Sequence, residues 1–147
     1  MSYRLVTFVL LMLAMLMPAQ AQHHFFGHKD VGPLTSQGLT ANSKRGSKFT
    51  PSEPGTDRSL CALVDGQGGG TGRQPYRLAL YSDNAGVPDK KLAETGLGSV
   101  GSGADPEWMC SGVAYVPVST VPYWIVIHSG SPTNVGRVNF HEPAANL

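Results

Sequence analysis

Tyr76-Arg-Leu-Ala-Leu-Tyr-Ser-Asp-Asn-Ala-Gly-Val-Pro88 is the stretch whose reading decides the fold. Tyr76, Leu78 and Leu80 alternate with Arg77, Ala79 and Tyr81, which is the period of two of a strand with one face buried. Ser82, Asp83 and Asn84 carry side chains that bond nearby backbone, and Gly86 is free to take positive φ, so the strand ends on a tight turn. Outward from this hairpin the chain repeats short runs of the same kind. The pattern predicts strands over residues 39–49, 59–64, 76–81, 91–95, 108–116, 123–128 and 135–140. No window of a dozen residues keeps apolar positions at i, i+3, i+4 and i+7, and glycine and proline interrupt the chain throughout. About seven short strands joined by turn-rich connections predict an all-β protein, an antiparallel β-sandwich.

Pro117, Pro122 and Pro132 fall between these runs, where a missing N–H removes no ladder bond. Residues 123–127 are almost wholly apolar, as in a central strand covered on both faces. Trp124 within it reads as a core filler or as a ligand platform, and core filling is the commoner role of such a ring.

Residues 1–21 have the form of a secretory signal peptide: Arg4, an apolar run over 5–17, then Pro18-Ala-Gln-Ala21 as an A-x-A cleavage signal. The run is short for a bilayer span, which disfavours the alternative of a retained anchor, and no later segment is apolar enough to cross a membrane. The expected organisation is a signal peptide at 1–21, an N-terminal extension at 22–38 and one sandwich domain at 39–147. The expected location is secreted, extracellular or periplasmic. All 10 acidic residues lie beyond residue 21 and Arg4 is one of the 11 basic ones, so the exported part is neutral. A neutral chain with 14% charged residues lacks the electrostatic footprint of a nucleic-acid binder.

Cys61 and Cys110 are the only cysteines. In an oxidising compartment they form one disulfide, with two free buried thiols as the alternative. Neither is catalytic in this reading, since no C-x-x-C motif is present.

Residues 77–88, then Leu92-Ala-Glu94, then Trp108, then Tyr123-Trp-Ile-Val-Ile-His-Ser-Gly130 resemble a bacterial module. They are similar to secreted and cell-surface β-sandwich domains built on a strand, a D-x-x-G-x-P turn and a later Tyr-Trp strand. The resemblance covers residues 26–130 and implies a jelly-roll-like fold of carbohydrate-binding-like or surface-anchored type, with no catalytic residues to carry over. Two departures are Asp89, where the module has glycine after the turn proline, and Ser119-Thr-Val-Pro122 in place of a glycine turn. Such modules also run through more strand material after the position of Gly130 than this chain does. Either the chain is a shortened variant or a sheet edge is left open, which would favour pairing with another chain.

Few residues suggest chemistry. Gln22-His-His-Phe-Phe-Gly-His28 is the one histidine cluster. Cleavage after Ala21 makes His24 the third residue, and cleavage one residue later makes His23 the first; both arrangements suit copper. The alternative is a flexible polar terminus. Asp83, Asn84 and Asp89, with Asp65, supply oxygens of the kind a structural calcium ion takes, though such side chains in turns more often serve the local backbone. Gly66-Gln-Gly-Gly-Gly-Thr-Gly72 lacks the phosphate-loop order and reads as a flexible connection. His128-Ser129 has no nucleophile elbow around it, and adjacent strand residues face opposite ways. Tyr81, Trp108 and Tyr115 remain as rings for stacking on a sugar, with Tyr81 and Trp108 favoured. The expected protein is a non-enzymatic binding module for a polysaccharide or envelope component. The alternatives are a structural or adhesive protein assembling through a sheet edge, and a copper protein using His23 and His24.

Overall fold

The alternation over 76–81 builds the longest-reaching strand of the sandwich, β4 (Arg73–Asn84), in the computed structural model, which describes residues 37–39, 41–67, 71–130 and 139–140 together with residue 27. Around it lie β1 (Gln37–Gly38), β2 (Lys44–Phe49), β3 (Gly55–Asp65), β5 (Val87–Glu94), β6 (Gly98–Gly101), β7 (Glu107–Val118), β8 (Tyr123–Ser129) and β9 (Asn139–Phe140). The expected signal peptide, His23 and His24 lie outside the described residues. No helix among the described residues is long and apolar enough to cross a membrane.

The strands form two antiparallel sheets, β1-β9-β3-β7 and β2-β8-β4-β5, with β6 on β4 where β5 has ended. The pairs β1–β9, β2–β8, β3–β7 and β4–β5 nest one inside another, as in a long hairpin rolled over on itself, which is the jelly-roll arrangement. Each of the seven expected strands has a counterpart. Two more, β1 and β6, are too short to show a period. β5 starts before the expected residue 91, because Pro88 lies in an edge strand where a proline is tolerated. Pro117 likewise lies inside the edge strand β7 rather than between strands.

The core sits between the sheets. β4 contributes Tyr76, Leu78 and Leu80, β3 contributes Leu60 and Val64, and β8 contributes Tyr123 and Ile127, joined by Leu39, Val100, Val116 and Val118. Thr95 fastens the switch from β5 to β6: its N–H donates to the Leu78 carbonyl at 2.8 Å, and its Oγ1 accepts the Leu78 N–H at 3.0 Å. Gly98 then leaves room for the Tyr76 ring, which a Cβ there would meet at 2.7 Å. Cys61 and Cys110 are bonded and directly opposed across β3 and β7, with Cα atoms 4.1 Å apart.

The glycine-rich connection is anchored at its start. Gly66 is buried, its N–H donates to the Ala104 carbonyl at 2.9 Å, and its carbonyl accepts from Gly103. A Cβ at this position would run into the Gly101 carbonyl oxygen.

The β4–β5 hairpin closes through Ala85 and Gly86, at φ 52 and φ 90, between the paired Asn84 and Val87. Positive φ at both central residues makes a type I′ turn, which suits the twist of the strands but places a Cβ in the left-handed region at Ala85. Ala85→Gly or Ala85→Asn is expected to raise stability by about 0.5–1 kcal/mol, read from the urea midpoint. An unchanged or lower midpoint contradicts this account of the turn.

Asp57 carries the clearest pH-sensitive charge. It lies on β3 beside the irregularity where Arg58 faces residues 113–115, and its Oδ2 is buried with no hydrogen-bond partner. Burial pushes its pKa up to about 6. The folded form therefore holds a proton that the unfolded chain has released, and stability falls as pH rises from about 4 to about 6. Asp83 and Glu94, whose pKa values are lowered, act in the opposite sense at more acidic pH. Asp57→Asn is expected to flatten the decline between pH 4 and 6 in urea unfolding; a decline that persists in the variant assigns it to another group.

Candidate binding face

β8 runs between β2 and β4, so the outward face of its sheet is set by cross-strand rows. Tyr123, Ile125 and Ile127 turn inward, while Trp124, Val126 and His128 turn outward. The register places Lys48, Trp124, Tyr81 and Lys91 in one row, Gly46, Val126, Ala79 and Glu94 in the next, and Lys44, His128 and Arg77 in a third.

Trp124 spans these strands. Its indole N–H donates to Asp83 Oδ1 on β4 at 2.7 Å. At its other end a Cβ added to Gly46 on β2 would lie 3.4 Å from Trp124 Cε3 and 2.9 Å from Val126 Cγ2. Glycine at 46 thus makes room for the Val126 side chain, with the indole at ordinary contact distance, and Lys48 Nζ stands 5.8 Å from the ring centroid. Asp83 holds two elements at once, because its Oδ2 accepts the Gly86 N–H at 3.1 Å and so braces the hairpin turn. The indole donor first, then the Gly86 N–H and the Lys48 charge, keep the Asp83 carboxyl below its ordinary range.

Polar groups surround the ring. Glu94 accepts from Lys91 Nζ at 2.9 Å and has an Arg77 nitrogen at 3.8 Å. The Lys91 hydrogen bond leads the lowering of its pKa, with the charges of Lys91, Arg77 and His128 adding to it. His128 Nε2 lies 3.1 Å from Asn42 Oδ1. Asn42 takes φ 57 in the turn before β2, and its N–H donates to the Gly130 carbonyl at 2.6 Å. The face thus combines a fixed indole, a neighbouring phenol ring, cationic and anionic groups held in pairs, and an amide–imidazole pair.

Tyr81 sits on this face, directly across from Trp124. Trp108 does not: it lies on β7 in the other sheet, opposite Leu63 and 40% exposed, so the two rings named from the sequence do not converge. Tyr115 is also on β7, with the Arg58 guanidinium 4.6 Å over its ring. Asp83 and Asp65, considered for calcium, sit at opposite ends of the sandwich. Asp65 Oδ1 accepts the Gln67 N–H at 3.0 Å, and among the described residues no three His, Cys, Asp or Glu side chains are grouped for a metal ion. Ser129 points into the interior beside Ser43 while His128 points out.

Trp124, left open by the sequence between core filler and platform, stands on the outward face. The apolar run hides its alternation, because Val126 between Trp124 and His128 is as apolar as the inward residues. The signal is the spacing: Trp124 and His128 are four apart, as are Lys44 and Lys48 across from them with Gly46 between. Comparisons of the chain with protein-family models, curated proteins and solved structures give no match.

Proposed function

We propose that this chain is an exported, non-catalytic binding module that takes a polysaccharide or another glycan of the cell envelope on the outward face of the β2-β8-β4-β5 sheet. The observation that carries the reading is the Trp124 indole, tied to Asp83 on the neighbouring strand, with Tyr81 directly across from it. A ring fixed before binding loses little conformational freedom when a sugar stacks on it, so the contact retains more of its favourable energy. Lys48, Lys91, Glu94 and His128 supply the hydrogen-bonding groups that orient a hydroxylated ligand. The jelly-roll arrangement and the resemblance to carbohydrate-binding-like surface modules support the same reading by analogy. Export agrees with the form of residues 1–21 and with the Cys61–Cys110 bridge.

The test is retention on a panel of insoluble and soluble glycans, followed by titration calorimetry on any that bind. Trp124→Ala is expected to weaken binding by about 5- to 150-fold, the equivalent of about 1–3 kcal/mol for a stacked aromatic contact, and Tyr81→Ala by less. Trp108→Ala is expected to leave it unchanged. Circular dichroism and melting separate lost binding from lost folding. Absence of retention across the panel, or retention untouched by Trp124→Ala, overturns the proposal.

A further inference from the structure

We infer that β7 is a self-pairing edge, through which two copies of this chain join the β1-β9-β3-β7 sheets about a two-fold axis at Cys110. This surface is independent of the glycan face, which belongs to the other sheet. The edge foreseen from the chain's C-terminal end is not the one concerned, since β9 lies inside its sheet between β1 and β3.

The sheet edges are treated unequally. β2 carries Lys44, Arg45 and Lys48, and β5 carries Pro88, Asp89, Lys90 and Lys91, the charges and proline that discourage edge pairing. β1 has two residues. β7 has 12, with no charged residue after Glu107 and one proline near its end. Among the described residues it pairs with β3 alone.

The register determines what the open side offers. Cys110 faces Cys61 at a Cα separation of 4.1 Å, the close spacing of a non-hydrogen-bonded antiparallel pair. The N–H and C=O of Cys110 therefore turn away from β3, and by the period of two so do those of Trp108 and Gly112. A second β7 laid antiparallel against them, centred on Cys110, satisfies these groups reciprocally.

The side chains agree with that centre. Trp108 and Gly112 each stand two residues from Cys110 and share its outward face. The two-fold places each Trp108 directly beside the other copy's Gly112. An indole over a cross-strand glycine covers bare backbone and gains contact that neither residue has alone. Trp108 is 40% exposed, and the space over Gly112 is open, since a Cβ there meets only the Arg58 carbonyl oxygen at 3.9 Å. No charge lies within 108–118 to repel its symmetry mate. Beyond Gly112 the irregularity opposite Arg58 breaks the ladder. The regular seam is short, which places this interface at the small, reversible end of the size range.

Sedimentation equilibrium of the purified protein across a wide concentration range tests the inference. A reversible monomer–dimer equilibrium is expected, weakened by roughly an order of magnitude or more in Trp108→Ala and in Gly112→Lys. Gly112 has room for a side chain, so the lysine variant is expected to keep its circular dichroism spectrum. Cys61→Ser leaves Cys110 as the lone thiol, and brief treatment with oxidised glutathione should then yield a disulfide-linked dimer. Cys110→Ser, whose thiol is one strand back from the edge, should not. A monomer at every concentration, a dimer that both edge variants leave unchanged, or equal cross-linking of the two cysteine variants overturns the inference.

Discussion

The register of β4 is the constraint on which the rest of the structure depends. Its inward residues, Tyr76, Leu78 and Leu80, are at most 2% exposed, while Arg77, Ala79, Tyr81 and Asp83 lie on the other face. A slip of one residue would drive Arg77 into the core and put Leu78 in water, so the interior tolerates a single alignment. β4 pairs with β5, β6 and β8, and that alignment is transmitted to each of them. The position of every residue on the outward face of that sheet, Trp124 included, follows from it.

Asp83 links this scaffold to the proposed site. One oxygen braces the turn that ends β4 and the other receives the Trp124 indole. Turn chemistry that looks purely local in the sequence therefore also orients a ring 41 residues further along the chain. A ring tied to a hairpin-turn carboxylate is restricted in rotamer, where an untethered surface indole would sample several. Gly46, opposite Val126 on the neighbouring strand, leaves room for that side chain beside the ring.

How much was legible in the residues differs by level. Fold class followed from alternation and punctuation, and it survives in each strand long enough to show a period. The disulfide followed from two cysteines in a chain expected to be exported, and it appears as a cross-strand pair. β1 and β6 escaped notice because two to four residues carry no period, and β6 exists through its pairing with β4 rather than through its own composition. The candidate face was only half legible. Tyr81 could be placed by alternation, whereas Trp124 lay in a run whose uniform apolarity conceals which side each residue takes. Trp108 looked equivalent to Tyr81 in one dimension, and only the strand order shows that they belong to different sheets. The buried amide of Gln74, with neither polar atom bonded, and the raised pKa of Asp57 had no signature at all, since burial of a polar side chain is a property of packing.

The most direct measurement is the two-dimensional nitrogen–proton spectrum of the protein titrated with a glycan that it retains. The Trp124 indole N–H resonance reports on the ring and on its bond to Asp83. The account predicts that this resonance shifts in step with the backbone signals of Lys48, Tyr81 and Lys91, while those of Trp108 and Tyr115 stay in place. Shifts gathered on β7 with a stationary Trp124 indole would contradict it.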